Sequence, residues 1–173
     1  MWTTLDSPVG LLRLVAHRDA VTAIEFSGAV ASSSPHSSSA RAAAASAGRP
    51  VGERDPDDPL LRETVSQLSS YFDGGLKEFD LPVAPSGTPF QLRVWEQLRA
   101  IGYGETATYG DIARRLGMTT AASRAVGLAN GRNPVPIVIP CHRVVGASGA
   151  LTGYAGGVER KKLLLDLEQA ALF

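Results

Sequence analysis

The chain contains a single cysteine, and it stands in Pro140-Cys141-His142-Arg143-Val144. A thiol beside an imidazole and a guanidinium is in surroundings that favour the thiolate, the form that acts as a nucleophile. Two readings of Cys141 are open. In one it is an activated nucleophile with His142 as its base, reached through a water or through an irregular backbone, since neighbours on a regular strand point to opposite faces. In the other it is a small buried hydrophobe. A base in such a pair needs a third group to orient it. Glu168 lies at the edge of the helical apolar arc Leu163, Leu164, Leu167 and Ala171, from which it can turn inward. A carboxylate there would hold the His142 tautomer that accepts the thiol proton. The alternative is a solvated Glu168 paired with Lys161 or Lys162. Cys141, His17, His36 and His142 form no ligand-spaced cluster, so no metal site is expected. A cysteine hydrolase is disfavoured because nothing marks an oxyanion hole.

The residues before the thiol, Asn133-Pro134-Val135-Pro136-Ile137-Val138-Ile139-Pro140, include three prolines and can be neither regular helix nor central strand. They read as a stiff buried loop. Upstream, Phe90, Val94, Leu98 and Ile101, with Trp95 beside them, give a helical stripe closed by Gly102-Tyr103-Gly104. Thr108 is placed to cap a short helix over 109–116, Gly117 supplies a turn, and Thr119 or Thr120 caps a second helix ending at Asn130-Gly131. Helix, glycine turn, helix is the helix-turn-helix outline. The second helix has Arg124 as its only long polar side chain, so it lacks the several base-reading groups of a sequence-specific recognition helix. Its small residues suit either a sequence-blind contact with a groove or close packing inside the domain.

Among 173 residues, 17 Lys and Arg balance 17 Asp and Glu, and 44% are apolar, which is enough for a core in one domain or two small ones. The neutral total hides an asymmetry: seven basic residues against eleven acidic up to Gly87 give −4, and ten against six after it give +4. Residues 109–143 carry Arg114, Arg115, Arg124, Arg132 and Arg143 against Asp111 alone, a stretch that could dock a polyanion or be a solvated basic face. One cysteine permits no intramolecular disulfide, which fits a reducing compartment, and no signal-like or membrane-spanning run is present; the cytoplasm is the expected address.

In the N-terminal half, Leu-Leu-Arg-Leu-Val-Ala and Val-Thr-Ala-Ile-Glu-Phe flank His17-Arg18-Asp19-Ala20 and predict a hairpin. Fifteen of the twenty residues in 29–48 are Ala or Ser, a composition with little apolar bulk to bury, so a flexible insertion spans 29–50. Leu60, Leu61, Val65, Leu68 and Phe72 then predict a helix packed on the hairpin and ended by Asp73-Gly74-Gly75. The Pro/Gly-rich run from Leu81 to Gly87 divides the chain into an N-terminal domain, 1–82, a linker, 83–87, and a C-terminal domain, 88–173.

Pro140-Cys141-His142-Arg143-Val144, with Ala129-Asn130-Gly131-Arg132-Asn133-Pro134 and Arg124-Ala125-Val126-Gly127 before it, resembles the active-site signature of the methylated-DNA-protein-cysteine methyltransferases, the O6-alkylguanine-DNA alkyltransferases. The resemblance extends to Gly87-Thr88-Pro89-Phe90-Gln91, Val94-Trp95, Thr108-Tyr109-Gly110 and Leu151-Thr152-Gly153-Tyr154-Ala155-Gly156-Gly157, and more loosely to Asp6-Ser7-Pro8-Val9-Gly10 in the N-terminal half. It implies an α/β N-terminal domain with a small ribonuclease-H-like sheet plus a helix, then a mostly α domain holding the helix-turn-helix and the acceptor cysteine. It implies a suicidal, cofactor-free reaction in which Cys141 takes an alkyl group from O6-alkylguanine, and from O4-alkylthymine, in double-stranded DNA after the damaged nucleotide is flipped out. By resemblance His142 is the base acting through water, Glu168 orients it, Asn133 braces the loop, and Tyr109 assists extrusion and neutralises the leaving guanine. Val144, Tyr154, Ala155 and Pro136 line the pocket. Arg124 fills the gap in the stack, with Gln91, Thr120, Ala122, Tyr109 and Arg132 as further contacts of a minor-groove, sequence-independent interface; the resemblance implies a monomer in the free state and leaves cooperative assembly on DNA open. Two departures stand out: Gly102 where the family pattern has proline, and Ala155 where a hydroxyl residue is common. The alternative within the same resemblance is a lesion-binding protein that does no chemistry.

Overall fold

The computed structural model describes residues 1–27, 52–151, 154 and 156–172. The Ala/Ser-rich segment 29–50 with His36, and Thr152, Gly153 and Ala155, lie outside the described residues. The chain divides into two compact units, Met1–Pro85 and Ser86–Phe173.

In the first unit, the described strands β1 (Trp2–Ser7), β2 (Gly10–His17) and β3 (Ala20–Ser27) form an antiparallel sheet in that order. The expected hairpin is β2–β3, and Arg18 and Asp19 both take positive φ (49° and 63°), the conformation that a two-residue hairpin turn requires. Strand β1 has no counterpart in the sequence reading, because its buried side chain is the polar Thr3 and its alternation is weak. Helix α1 (Pro59–Phe72) starts where Asp58 accepts a hydrogen bond from the Leu61 N–H and Pro59 occupies the first turn. It buries Leu61, Thr64, Leu68 and Tyr71. Thr64 is tolerated there because its hydroxyl donates to the Leu60 carbonyl at 2.7 Å. The composition-based boundary at residue 82 cuts through a backbone pairing: the Val21 N–H donates to Pro82 O at 2.8 Å and the Ala84 N–H to Val21 O at 3.0 Å.

In the second unit, α2 (Pro89–Arg99) opens with a reciprocal cap between Thr88 and Gln91 and buries Val94, Trp95 and Leu98. The Trp95 indole N–H donates to the Ala129 carbonyl at 2.8 Å and ties α2 to α4 (Ser123–Gly131). A two-residue strand β4 (Ala107–Thr108) leads into α3 (Tyr109–Arg115), capped reciprocally by Thr108 and Asp111. Gly117, at φ +74°, makes the turn. The second helix starts later than expected. Neither Thr119 nor Thr120 caps it; a 3₁₀ turn over Thr120–Ala122 intervenes, and the Ser123 hydroxyl donates to Thr120 O at 2.6 Å. Strand β5 (Val144–Val145) pairs in parallel with β4, Ala107 opposite Val144, so the start of α3 is fixed beside the residue that follows the Cys141 turn.

Helix α5 (Val158–Ala170) corrects the expected apolar arc. Leu163 is exposed and Leu167 and Ala171 are half-buried, while the buried side chains are Arg160, Lys161, Leu164 and Glu168. The inward stripe Lys161–Leu164–Glu168 keeps helical spacing but has a charge at either end, which a hydrophobicity pattern does not register. Among the described residues no helix is long and apolar enough to cross a membrane.

Candidate active site

The proline-rich loop delivers the thiol by a set of hydrogen bonds that substitute for the donors its prolines lack. Asn133 is buried; its Nδ2 donates to Ile139 O at 2.8 Å and its Oδ1 accepts from the Val135 N–H at 3.0 Å. The Ile139 N–H returns to Val135 O at 3.0 Å, and Ile137 is held at φ +74°, unfavourable for a β-branched residue. The Cys141 N–H then donates to Ile139 O at 2.8 Å and Asn130 Nδ2 to Cys141 O at 3.3 Å. Cys141–Arg143 form a 3₁₀ turn, whose side chains project roughly 120° apart, so the alternation of a strand does not apply.

His142 is wholly buried, with Nε2 2.8 Å from Oε1 of an equally buried Glu168. The same carboxylate takes Arg143 Nε at 3.1 Å on each oxygen and Nη2 at 2.8 Å, and the Gly104 N–H at 3.3 Å. Arg143 Nη1 donates to Ile101 O at 2.7 Å. Burial alone would raise the Glu168 carboxyl, but hydrogen bonds and charge from His142 and Arg143 outweigh it and hold it down at about 2. An ionised Glu168 accepts the Nε2 proton and leaves Nδ1 as the lone-pair nitrogen; Nδ1 is buried with no hydrogen-bond partner among the described residues. Burial, chiefly, lowers the imidazole from its ordinary value, with Glu168 opposing and Arg143 and Lys161 adding. The ring is therefore neutral at neutral pH. The solvated alternative for Glu168 is overturned, and Lys162 pairs with Asp166 instead.

One expectation about the thiol is also corrected. Arg143, its sequence neighbour, is occupied by Glu168, and burial pushes the Cys141 thiol up to about 11. The Asn133 side chain and the charge of Lys161 work against that rise. The resting thiol is protonated, and the cation acting on it comes from α5. Lys161 is fully buried, and its Nζ lies 5.8 Å from the centroid of the Tyr109 ring. Sequence reasoning missed this residue; its position seven before Glu168, on the same helical face, was the available signal.

Tyr109, the first residue of α3, is half-buried, and a Cβ built on Gly127 would lie 3.7 Å from its ring. Pro136, Val144 and Tyr154 are buried, and Ala155 is outside the described residues. Arg124 and Arg132 are exposed on α4 and just past its end, Thr120 is exposed and Ala122 half-buried in the preceding turn, and the Gln91 side-chain Oε1 accepts from the Thr88 N–H at 3.0 Å. The five-arginine stretch thus offers fewer cations than its count suggests. Arg114 pairs with Asp111 and Arg143 with Glu168, which leaves Arg115, Arg124 and Arg132 exposed without an ion pair among the described residues. Gly102 uses the donor that proline would lack, giving its N–H to Glu105 Oε2 at 3.2 Å.

The second unit combines a helix-turn-helix pair with a lone thiol in a buried 3₁₀ turn backed by a histidine–carboxylate pair, the parts of a nucleophilic cysteine site in a helical domain. The chain belongs to the 6-O-methylguanine DNA methyltransferase family, whose ribonuclease-like domain matches residues 1–85 and whose DNA binding domain matches residues 89–170. It is 44% identical over 170 residues, covering 98% of this chain and 92% of the relative, to a methylated-DNA--protein-cysteine methyltransferase of Mycobacterium tuberculosis. The crystal structure of the M. tuberculosis O6-methylguanine methyltransferase is similar with a TM-score of 0.79 at 43% identity, covering 98% of this chain and 92% of that one. A crystal structure of the M. tuberculosis protein in complex with DNA matches with a TM-score of 0.77 at 41% identity, over 98% and 93% of the two chains.

Proposed function

We propose that this protein repairs DNA by direct reversal, moving a methyl or larger alkyl group from O6-alkylguanine, and from O4-alkylthymine, onto Cys141 in one irreversible turnover. The observation that carries the reading is His142 Nδ1, which has no hydrogen-bond partner among the described residues and which Glu168 leaves as a buried proton acceptor in the same short turn as the only thiol. His142 Nδ1 takes the thiol proton through a water, and Glu168 stabilises the imidazolium. The sulfur attacks the alkyl carbon in line; the S–C bond forms as the C–O6 bond breaks, and the electron pair passes to guanine. Tyr109 gives its phenolic proton to the leaving base and recovers one from the imidazolium, so the net result is one proton lost by the thiol and one gained by guanine. The product is a neutral thioether that water does not displace, and each molecule acts once.

The target atom is inaccessible in a stacked duplex, so the nucleotide is extruded at a cost of a few kcal/mol, least for a damaged pair. Val144, Tyr154, Pro136 and Ala155 line the receiving pocket, and Asn133 braces the loop. Arg124 occupies the vacated stack, while Gln91, Thr120, Ala122 and Arg132 contact the strand in the minor groove. With one long polar side chain on α4, recognition is independent of sequence, as repair at any position demands. The protein works as a monomer when not on DNA, without a cofactor, and in the cytoplasm. Incubation with duplex containing O6-methylguanine, followed by mass measurement, should add one methyl group at Cys141 and none in Cys141→Ser. Unmodified protein that still binds the duplex would instead mark a lesion-binding protein without chemistry.

A further inference from the structure

We infer that Leu128 is a specificity-determining residue that reads the sugar of the bound nucleic acid: its exposed side chain packs against the deoxyribose wall of the minor groove and disfavours a duplex that carries ribose there. The inference deepens the repair reading and rests on the minor-groove interface of that reading. A single exposed leucine is ordinary on a protein surface, and it is position that sets this one apart. At 64% it is the most exposed large apolar side chain among the described residues. It stands in the middle of the outward face of α4, with exposed Arg124, Ala125 and Arg132 around it and the buried Val126, Ala129 and Asn130 on the opposite side. Arg124 and Arg132 lie four residues before and after it, about 6 Å along the helix axis in each direction. Neither arginine has an ion pair among the described residues. Two uncompensated cations flanking the leucine fit a polyanion, whereas an apolar peptide or a second copy of this face would meet unpaired charge on both sides.

With its two neighbouring guanidinium groups engaged by the duplex, Leu128 is held over the groove wall between them. In DNA that wall presents the C–H groups of deoxyribose, so covering it with a leucine removes apolar surface from water on both partners. In RNA the 2′-hydroxyl projects into the same groove. A leucine packed there would strip the hydroxyl of water and offer no hydrogen bond in return. The arginines cannot make this distinction, because a guanidinium donates to a hydroxyl as well as to a phosphate. Ala125 shares the face but extends only one carbon from the backbone. The leucine contact neutralises no phosphate, and its contribution is therefore independent of counterion release.

The test measures binding by full-length protein in a Cys141→Ser background, which cannot take the methyl group, to a DNA duplex containing O6-methylguanine and to the same duplex with ribonucleotides flanking the lesion on both strands. With Leu128 in place, the ribose-bearing duplex should bind about tenfold or more weakly than the all-DNA duplex. Leu128→Gln keeps a good helix former and supplies hydrogen bonds. It should weaken all-DNA binding by about tenfold without changing the slope of log K against log salt, and narrow the sugar preference to less than about threefold. Leu128→Met, still apolar, should retain the preference. Equal binding of the two duplexes with Leu128 in place, a preference that persists in Leu128→Gln, or an all-DNA affinity that glutamine leaves unmoved overturns the inference. So does a salt slope that falls by about one in the glutamine variant, the signature of a lost phosphate contact. With Cys141 intact, reaction with free O6-benzylguanine should be the same for all three side chains, and a loss in Leu128→Gln would place the leucine at the acceptor pocket and overturn its role in the groove. Methyl transfer from the all-DNA duplex to wild-type Cys141, measured in parallel, separates failure of this inference from failure of the repair reading.

Discussion

Glu168 is the residue on which the buried charge balance turns, since it faces one imidazole and one guanidinium and is fully enclosed. Its folded value of about 2 lies below the ordinary carboxylate range. The native state thus binds the proton more weakly than the unfolded chain. The resulting stability is fully present above about pH 5, is lost as the pH falls toward 2, and is on the order of 3 kcal/mol. Urea midpoints measured from pH 7 down to 3 should record that decline. Glu168→Gln should remove the decline and cost about 3–5 kcal/mol at pH 7, because Arg143 is left buried without a counter-charge. A variant with wild-type stability at neutral pH would show that Arg143 reaches solvent. Cys141 and His142 stand out in the sequence as a candidate pair because nucleophile chemistry names those residue types, whereas Glu168 is open there between an inward carboxylate and a solvated one, since its place at the edge of a helical face fits both. The partner of Arg143 and the burial of Lys161 were not legible, since adjacency in a chain says nothing of side-chain direction and a lysine reads by default as solvated.

At the scale of elements, what was local was legible. The Thr108 cap of α3 was read from the sequence, and the caps of α1 and α2, at Asp58 and at Thr88 with Gln91, are equally local, each written within four residues, although they were not singled out there. What depended on tertiary partners was not: β1 buries a threonine, α5 turns a charged stripe inward, and α4 starts after a 3₁₀ turn with no side-chain cap. The small residues of α4 left close packing and groove contact both open, and Gly127 takes part in the first by lying against Tyr109. A Cβ there would meet the ring at 3.7 Å, an ordinary van der Waals distance, in a helix where alanine is favoured over glycine. Gly127→Ala should therefore stabilise the protein by roughly 0.5–1 kcal/mol in urea denaturation. Gly127→Leu has no such room and should displace Tyr109, slowing alkyl transfer from duplex. Destabilisation by alanine would mean that the tyrosine needs a closer approach than the structure gives it.

For the whole molecule, neutrality is misleading, because equal totals of acid and base are divided −4 and +4 about Gly87. Within the basic part the structure removes two arginines from service, Arg114 onto Asp111 and Arg143 onto Glu168, and leaves Arg115, Arg124 and Arg132 exposed. Duplex binding should accordingly weaken with added salt, and Arg132→Ala should reduce the slope of log K against log salt by about 0.9, the contribution of one phosphate contact. Arg114→Ala should change it less, since the neighbouring Asp111 at the surface already offsets part of its charge. Arg124→Ala separates two kinds of contribution. If Arg124 fills the stack after extrusion, its loss slows repair of duplex even at saturating DNA while reaction with free O6-benzylguanine is preserved, because a free base needs no extrusion. Arg132→Ala should instead weaken binding and leave the saturated rate intact. Equal losses on duplex and free base in Arg124→Ala would assign that arginine to the acceptor pocket and remove it from the extrusion step.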